Sequence, residues 1–253
     1  RLLIEQLQPR TTWLPSYLCP TILSAVDPRL TRVAFYAVDS ALQTDLESFL
    51  PSVEPGDLCL AIDYFGFPCA YATLEAMQAQ GAWLLRDFSQ ALFQDWQTEP
   101  GDFFLYSPRK FLGVPDGGIL HARAGLSLLR PALLPPDHAA MVPLFWALLL
   151  RREFDRYGGD RQWNQYFHQG EAQFTPGSWA MSELSQMLLE QAFDYEQIQH
   201  LRRLNYQTLS GRLSTFALYP DLPPSVIPLG FPVRLPQRDA VQRGLFQANM
   251  YPP

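Results

Sequence analysis

The sequence predicts an α/β fold built on a mainly parallel sheet. The first observation is a set of short, almost continuous apolar segments, which are typical of strands buried on both faces. The second is that segments with helical periodicity separate the first three of them. Strand, helix, strand, helix, strand is the order that right-handed crossovers impose on a parallel sheet. We therefore expect a parallel sheet flanked by helices.

Five segments of the first half are predicted strands because they are short and almost continuously apolar. They cover residues 33–38, 58–65, 82–88, 103–107 and 117–122. Between the first three lie two predicted helices, 42–50 and 71–81. The second helix ends in Gly81, the residue type that most often follows a helix C-terminus.

The second half, from about residue 125 to 216, is predicted to be helical because Leu, Met and Phe recur every three or four residues. Residues 189–216 could form one long helix or two. A proline-rich stretch then leads to a short predicted strand, 231–235, and a helix from Asp239. We therefore divide the chain into a large domain, 1–195, and a linker helix with the start of a smaller C-terminal α+β domain, 196–253.

Composition excludes several classes of protein. With a net charge of −6 and a pI near 5.2, the 253-residue chain lacks a general nucleic-acid or polybasic membrane surface. Its longest apolar run, 143–150, is shorter than the roughly 20 residues that span a bilayer. We therefore expect a soluble cytoplasmic protein. The chain starts without Met inside a helical pattern and stops without a closing element, so we expect residues to be missing at both ends.

Three cysteines, Cys19, Cys59 and Cys69, lie among apolar residues without CxxC spacing. This pattern favours reduced core residues over a zinc site or a disulfide.

One residue has no second copy in the chain: Lys110 is the only lysine, and the other eighteen basic positions are arginine. Lysine can lose its proton and act as a nucleophile, whereas arginine cannot. The alternative is that Lys110 is a single remaining lysine on a solvated loop. Composition alone does not separate the two interpretations.

Three features lie at the ends of neighbouring predicted strands, where ligands collect in open α/β sheets. Asp87 with Gln90 comes after residues 82–86, Ser107 with Lys110 comes after residues 103–106, and Gly117–Gly118 starts the next predicted strand. Each has an ordinary structural explanation: a helix N-cap for Asp87, a turn for Ser107, and a tight turn for the glycines. Together they match the groups that a pyridoxal phosphate (PLP) site needs, namely an amine, an acid and a hydroxyl. We favour the joint interpretation.

These residues also carry a resemblance to a known family. Segments 84–92 (LLRDFSQAL) and 101–120 (GDFFLYSPRKFLGVPDGGIL) resemble the DegT-type branch of fold-type-I PLP aminotransferases. That family's pattern is D-x-x-Q/H, a Gly-Asp before a strand, a serine, the PLP lysine and a Gly-Gly strand. Segments 14–23, 62–66 and 201–209 resemble the family's early strand and loop, a strand end, and its linker helix. The resemblance implies a PLP-dependent transferase of fold type I.

The resemblance also implies a role for each residue. Lys110 would form the Schiff base with PLP and Asp87 would pair with the pyridine nitrogen. Gln90 would lie beside the phenolic oxygen of the ring, and Ser107 would bind the phosphate. Arg109 could favour a neutral Lys110, contact the phosphate, or face solvent.

Three features depart from the family pattern. Ser107 and Lys110 are three residues apart instead of five. Cys19 occupies the position of the usual ring-stacking aromatic, for which Tyr17 is the substitute we expect on the same strand face. The small-residue turn that would bind the phosphate is expected before residues 1–7, outside this sequence.

The function implied is transfer of an amino group from an amino acid such as glutamate to a keto acceptor, with a nucleotide-linked keto sugar favoured by the resemblance. The alternatives are a PLP-fold protein that binds cofactor or a partner without turnover, and an α/β scaffold without a cofactor. The resemblance further implies a homodimer. The sequence contains 17 Phe, 11 Tyr and 6 Trp, and segments 143–150 and 161–167 could supply an apolar interface or pack inside one subunit.

Overall fold

A computed structural model describes residues 1–126, 128, 132–248 and 250. Within these residues, six strands form one sheet in the order β2-β1-β3-β4-β5-β6. The first five are parallel, and β6 runs antiparallel to β5. The strands are β1 Thr11–Pro15, β2 Arg32–Tyr36, β3 Leu58–Ile62, β4 Trp83–Asp87, β5 Phe103–Tyr106 and β6 Ile119–Ala122. The prediction of a mainly parallel α/β sheet is confirmed.

Helices flank the sheet in the first half and dominate the second half of the described residues. They are α1 Leu2–Leu7, α2 Thr21–Ser24, α3 Leu46–Phe49, α4 Tyr71–Ala79, α5 His138–Tyr157, α6 Gln162–Gln173, α7 Glu183–Gln191, α8 Tyr195–Leu213 and α9 Arg238–Gln247. None of these described helices is long and apolar enough to cross a membrane.

The two predicted helices of the first half differ in outcome. Helix α4 ends as expected, with Gly81 at φ +75° directly after its C-cap residue. The helix predicted over 42–50 is only one turn, α3. It begins late because Asp45 caps it, accepting a hydrogen bond from the Ser48 N–H at 3.3 Å, while Leu42 has a left-handed φ of +61°.

Both faces of the sheet are covered, as the apolar character of the strands predicts. All five residues of β3 are buried; Cys59 and Ala61 belong to one cluster, and Leu58, Leu60 and Ile62, which alternate with them along the strand, belong to two others. Cys59 and Ala61 pack in the cluster that contains helix residues Leu74 and Met77. Leu58 packs on the opposite face, in a cluster with residues of α1. The sheet is therefore packed on both faces.

In the second half, the structure decides between one helix and two at residues 189–216 and tests the predicted strand 231–235. Residues 189–216 form two helices, because α7 ends at Gln191 and Asp194 caps α8 by accepting a hydrogen bond from the Gln197 N–H at 2.9 Å. The predicted strand 231–235 is wrong. Its only pairing among the described residues is a single bridge between Ala217 and Val233, and prolines at 232 and 236 remove the N–H groups that a strand needs.

The last predicted element is confirmed, since α9 begins one residue before Asp239. The division of the chain at residues 195 and 196 stays a prediction. It falls in the first turn of α8.

Candidate functional site

The candidate site lies where β3, β4 and β5 end side by side. In the sheet register, Asp87 pairs with Ile62 on one side and Leu105 on the other. The Phe88 N–H donates to the Leu105 carbonyl at 2.7 Å, and the Asp63 N–H donates to the Asp87 carbonyl at 3.2 Å. The structure therefore brings Asp87 and the segment that begins at Ser107 to one edge of the sheet, as predicted.

Asp87 is a buried carboxylate that keeps one oxygen free. Its side chain lies at the end of β4, and Oδ1 accepts the Ser89 N–H at 2.8 Å. No helix follows in the described chain, where residues 88–92 form turns, so the N-cap alternative is not realised. No described residue donates a hydrogen bond to Oδ2. A buried acceptor is thus available for a protonated ring nitrogen.

Lys110 ends the 3₁₀ turn Pro108–Lys110, which follows directly after Ser107. The backbone N–H of Lys110 donates to the Ser107 carbonyl at 3.3 Å, so the two residues lie on one turn. The Lys110 side chain is exposed and forms no hydrogen bond or ion pair with any described residue. The Ser107 hydroxyl makes no capping bond to this turn. Both side chains are therefore available to a ligand.

Arg109 has a partner that the sequence does not indicate. Its Nη2 lies 2.6 Å from Glu171 Oε1 of α6, and its guanidinium carbon lies 5.1 Å from the centre of the Phe174 ring. The charge of Arg109 is therefore compensated by Glu171. This contact also attaches the Lys110 turn to the C-terminal part of α6.

Gln90 uses one end of its amide to hold a strained turn. Its Oε1 accepts the Phe65 N–H at 2.9 Å. Phe65 has a φ of +58°, in the left-handed region that non-glycine residues seldom adopt, and Gly66 follows at +96°. The Gln90 amide NH₂ donates to no described residue, so it remains free for a ligand oxygen.

Tyr17 lies in the loop after β1 with 55% of its surface exposed. Its ring centre is 5.5 Å from that of Tyr64, at an angle of 46°, and its carbonyl accepts the Tyr64 hydroxyl. Cys19, in the same loop, is exposed, and its Sγ lies 3.0 Å from Thr21 Oγ1.

The prediction that all three cysteines are core residues is wrong for Cys19. That residue stands in a loop beyond the end of β1, whereas Cys59 lies inside β3 and is buried. Cys69 is partly buried. All three are free thiols.

The Gly117–Gly118 turn is connected to a buried polar cluster. Gly117 has a φ of +106°, and a Cβ there would come within 2.4 Å of Met181 Cε. The preceding residue, Asp116, accepts hydrogen bonds from the Ser182 N–H at 2.9 Å, the Ser182 hydroxyl at 2.6 Å and the Ser185 hydroxyl. Asp116 therefore anchors the N-terminus of α7, and the positive φ of Gly117 favours glycine because other residues seldom adopt it.

Sequence reasoning missed a buried charge network beside Asp87. Asp63 and Arg86 are both buried, and Arg86 Nη1 also lies 3.4 Å from Glu99 Oε2. Burial raises the pKa of Asp63 from 3.8 to about 6, although the Arg86 charge acts in the opposite direction. A usable signal existed, since charged residues inside or next to apolar strands must be paired when both faces are covered.

The chemistry of the free groups fits PLP. A carboxylate oxygen, an amide NH₂, a hydroxyl and a primary amine have no partner among the described residues, and they belong to Asp87, Gln90, Ser107 and Lys110. These are the groups that would hold, respectively, the pyridine nitrogen, the phenolic oxygen, the phosphate and the aldehyde carbon.

Comparison with known proteins shows the fold. S. venezuelae DesV, solved in complex with a ketimine intermediate, matches 98% of this chain at a TM-score of 0.59 and 17% identity. A DegT/DnrJ/EryC1/StrS aminotransferase from Brucella abortus matches 99% of this chain, at a TM-score of 0.55 and 14% sequence identity. CalE6, a methionine gamma lyase from Micromonospora echinospora, matches 96% of this chain, at a TM-score of 0.50 and 16% sequence identity.

The chain spans 66% of the DesV and B. abortus chains and 57% of CalE6. No protein-family model matches the sequence, and no curated protein matches it. The predicted fold, a mainly parallel sheet flanked by helices as in fold-type-I PLP transferases, is confirmed by these structures.

Proposed function

We propose that this protein is a PLP-dependent aminotransferase of the DegT type. The observation that carries the proposal is the pair formed by Asp87 and Lys110. A buried carboxylate, with one oxygen that has no partner among the described residues, ends β4, and the only lysine of the chain follows the neighbouring β5 at the same sheet edge. The fold supports it, because DesV was solved with a ketimine intermediate and the B. abortus protein is described as an aminotransferase.

In this proposal each free group has a defined role. Lys110 would hold the cofactor covalently, and its amine, released when the amino donor takes its place, would carry the proton at the substrate α carbon. Asp87 keeps the pyridine nitrogen protonated, and the Gln90 amide donates to the phenolic oxygen. Ser107 binds the phosphate. When bound, PLP supplies an electron sink for the carbanion formed at that carbon.

Tyr17 would contact the ring of the cofactor in place of the aromatic that Cys19 replaces. Its exposed ring, already packed on Tyr64 at one side, leaves surface for a second ring.

The substrates proposed are an amino acid donor such as glutamate and a keto acceptor, of which a nucleotide-linked keto sugar is the one that the resemblance favours. We also propose a cytoplasmic homodimer that binds neither nucleic acid nor membranes. Support for the dimer comes from α5, where Trp146 and Leu149 are exposed whereas Leu144 and Ala147 are buried.

A second candidate is a protein of the same fold that binds PLP or a partner without turnover. The observation that favours it is the loop after β1, where exposed Cys19 stands at the position expected for a stacking aromatic. The shorter Ser107–Lys110 spacing acts in the same direction.

The test uses the single lysine. Protein incubated with PLP is expected to develop a visible absorbance band, and borohydride reduction is expected to attach the pyridoxyl group to the peptide that contains Lys110. Lys110→Ala should lose both signals, and Lys110→Arg is the control that retains the positive charge. The absence of band and adduct in the unmodified protein would contradict PLP binding. A band that does not change when glutamate is added would favour the second candidate.

A further inference from the structure

Arg202 of α8 joins two segments of the chain that lie far apart in sequence. Its Nη2 donates to the carbonyl of Phe111 at 3.3 Å, and its guanidinium carbon lies 4.4 Å from the centre of the Phe111 ring. Its Nη1 donates to the carbonyl of Leu229 at 3.0 Å and reaches that of Pro228 at 3.5 Å. One side chain therefore connects the residue after Lys110 to the proline-rich loop, which we define as residues 219–231.

The proline-rich loop continues the connection to Gln90. The Leu229 N–H donates to the Phe65 carbonyl at 2.8 Å, and the Phe65 N–H donates to Gln90 Oε1 at 2.9 Å. The adjacent residue, Gly66, lies so close to this loop that a Cβ would be 2.7 Å from the Ile227 carbonyl oxygen. A continuous series of hydrogen bonds thus runs from the Lys110 turn, through Arg202, to the Gln90 amide.

The chemistry of Arg202 suits this connection. A guanidinium has five N–H donors in a rigid plane, so it can bind carbonyls of two segments at once, which an ammonium on a flexible stem does less well. Arg202 is partly buried, and no carboxylate of the described chain pairs with it. Burial lowers the pKa of Arg202, but arginine keeps its charge in proteins. Its charge is therefore stabilised by main-chain carbonyls and the Phe111 ring, which ties its position to both segments.

We propose that Arg202 is a positioning residue that couples the Lys110 turn to the Gln90 side chain. This inference rests on the proposed function, because it concerns two residues assigned there to the cofactor. Arg202 sets the distance between them through the carbonyls of Phe111 and Leu229. Loss of its guanidinium would remove this link and leave the pairing of β4 with β5 and the Phe93–Phe111 ring contact, at 5.6 Å between centres, to hold the two turns.

The next residue of α8 supplies a matched control. Arg203 Nη1 donates to the carbonyls of Pro223 and Val226, at 2.8 and 2.6 Å. It binds the same proline-rich loop through the same kind of contact, but it has no contact with the Lys110 turn among the described residues. A general role in stabilising the loop would be shared by both arginines, whereas the coupling role belongs to Arg202 alone.

The test reads the environment of Lys110 directly, without cofactor. Reductive ¹³C-methylation of the purified protein labels one side-chain amine, because Lys110 is the only lysine, together with the N-terminal amine. We expect Arg202→Met to shift or broaden the Lys110 signal and Arg203→Met to leave it in place. We expect Gln90→Ala to shift the signal in the unmodified protein but to add no further change in the Arg202→Met background, because the coupling is then already lost.

A second measurement uses unlabelled protein and PLP. The dissociation constant for PLP should rise about threefold to tenfold more for Arg202→Met than for Arg203→Met, since only the former displaces the Lys110 turn. If Arg202→Met does not fold, Phe111→Leu replaces it. That variant removes the ring beneath the guanidinium and should likewise shift or broaden the Lys110 signal.

The outcomes separate this inference from the proposed function. An unchanged Lys110 signal in Arg202→Met, or an equal shift in Arg203→Met, would overturn the coupling role. Additive effects of Gln90→Ala and Arg202→Met would also overturn it. If the signals behave as expected but the unmodified protein binds no PLP, the coupling stands and the proposed function fails.

Discussion

Nη2 of Arg86 lies 2.7 and 2.8 Å from the two carboxylate oxygens of Asp63, and the exposed fractions of these side chains are 0% and 1%. The pair connects the residue after β3 to the residue of β4 that precedes Asp87. Because the Asp63 N–H also donates to the Asp87 carbonyl, the backbone that presents Asp87 is held by a buried charge pair. Glu99 completes the network on the other side of Arg86.

Asp63→Asn is expected to destabilise the protein by about 3–5 kcal/mol, because it leaves the Arg86 charge buried without its main partner. The free energy of unfolding in urea is the measurement. Asp155→Asn, which breaks the exposed Arg151–Asp155 pair of α5, is the control and should cost less than about 1 kcal/mol. An equal decrease in the free energy of unfolding in the two variants would show that the buried Asp63–Arg86 pair contributes no more to stability than the exposed pair.

Gly66→Ala is expected to cost at least about 1–3 kcal/mol, because the residue has a φ of +96° and a Cβ would meet the Ile227 carbonyl at 2.7 Å. Gly211→Ala, in α8, meets nothing within 4 Å and should stabilise the protein by about 1 kcal/mol. Thermal or urea unfolding compares them. A Gly66→Ala protein as stable as the parent would mean that the proline-rich loop can move away from the turn.

The three thiols are expected to react at different rates with an alkylating reagent. Burial raises the pKa of Cys59 to about 12 and that of Cys69 to about 11, so few thiolates form on them near pH 8. Cys19 is exposed. Mass spectrometry should therefore find one label on the native protein, three after unfolding, and none on native Cys19→Ser. Rapid labelling of Cys59 in the native protein would be inconsistent with its place in β3.

Asp87→Asn tests the electronic role assigned to this carboxylate. The variant keeps the shape of the side chain but removes its charge, so PLP should remain bound while transamination of glutamate falls by orders of magnitude. Asp194→Asn, at the N-cap of α8, is a matched control because asparagine also caps helices well. Unchanged turnover in Asp87→Asn would contradict the electronic role and leave Asp87 only the structural role of accepting the Ser89 N–H.

The proposed dimer predicts an effect of charge on the exposed side of α5. Val142, Trp146 and Leu149 recur at helical spacing and are 46%, 50% and 37% exposed. Trp146→Glu should raise the monomer fraction measured by light scattering at micromolar concentration, whereas Val241→Glu on α9 should not. An unmodified protein that is monomeric and still transaminates would show that one chain completes the site.

Local pattern was sufficient for the elements that bury most of their residues. Strands β3, β4 and β5 were predicted from apolar runs, because a strand covered on both faces leaves little room for polar residues. The C-terminus of α4 was predicted from Gly81, since one backbone conformation decides it. Elements that depend on few local contacts were predicted poorly. Helix α3 is shorter than expected, and residues 231–235 form no strand.

The sequence by itself determined the α/β class and the residues worth testing, because burial pattern and the single lysine are both visible without coordinates. Only the tertiary structure decided that polar groups of Asp87, Gln90, Ser107 and Lys110 have no partner in the described part of the chain. It also decided the Asp63–Arg86 pair and the contacts of Arg202. Phe111 and Leu229 are bound by one guanidinium although they lie 118 residues apart in the chain. Such pairings depend on where the packed elements bring distant backbone carbonyls together. Local hydrophobic periodicity carries no information on contacts between residues so far apart in the chain.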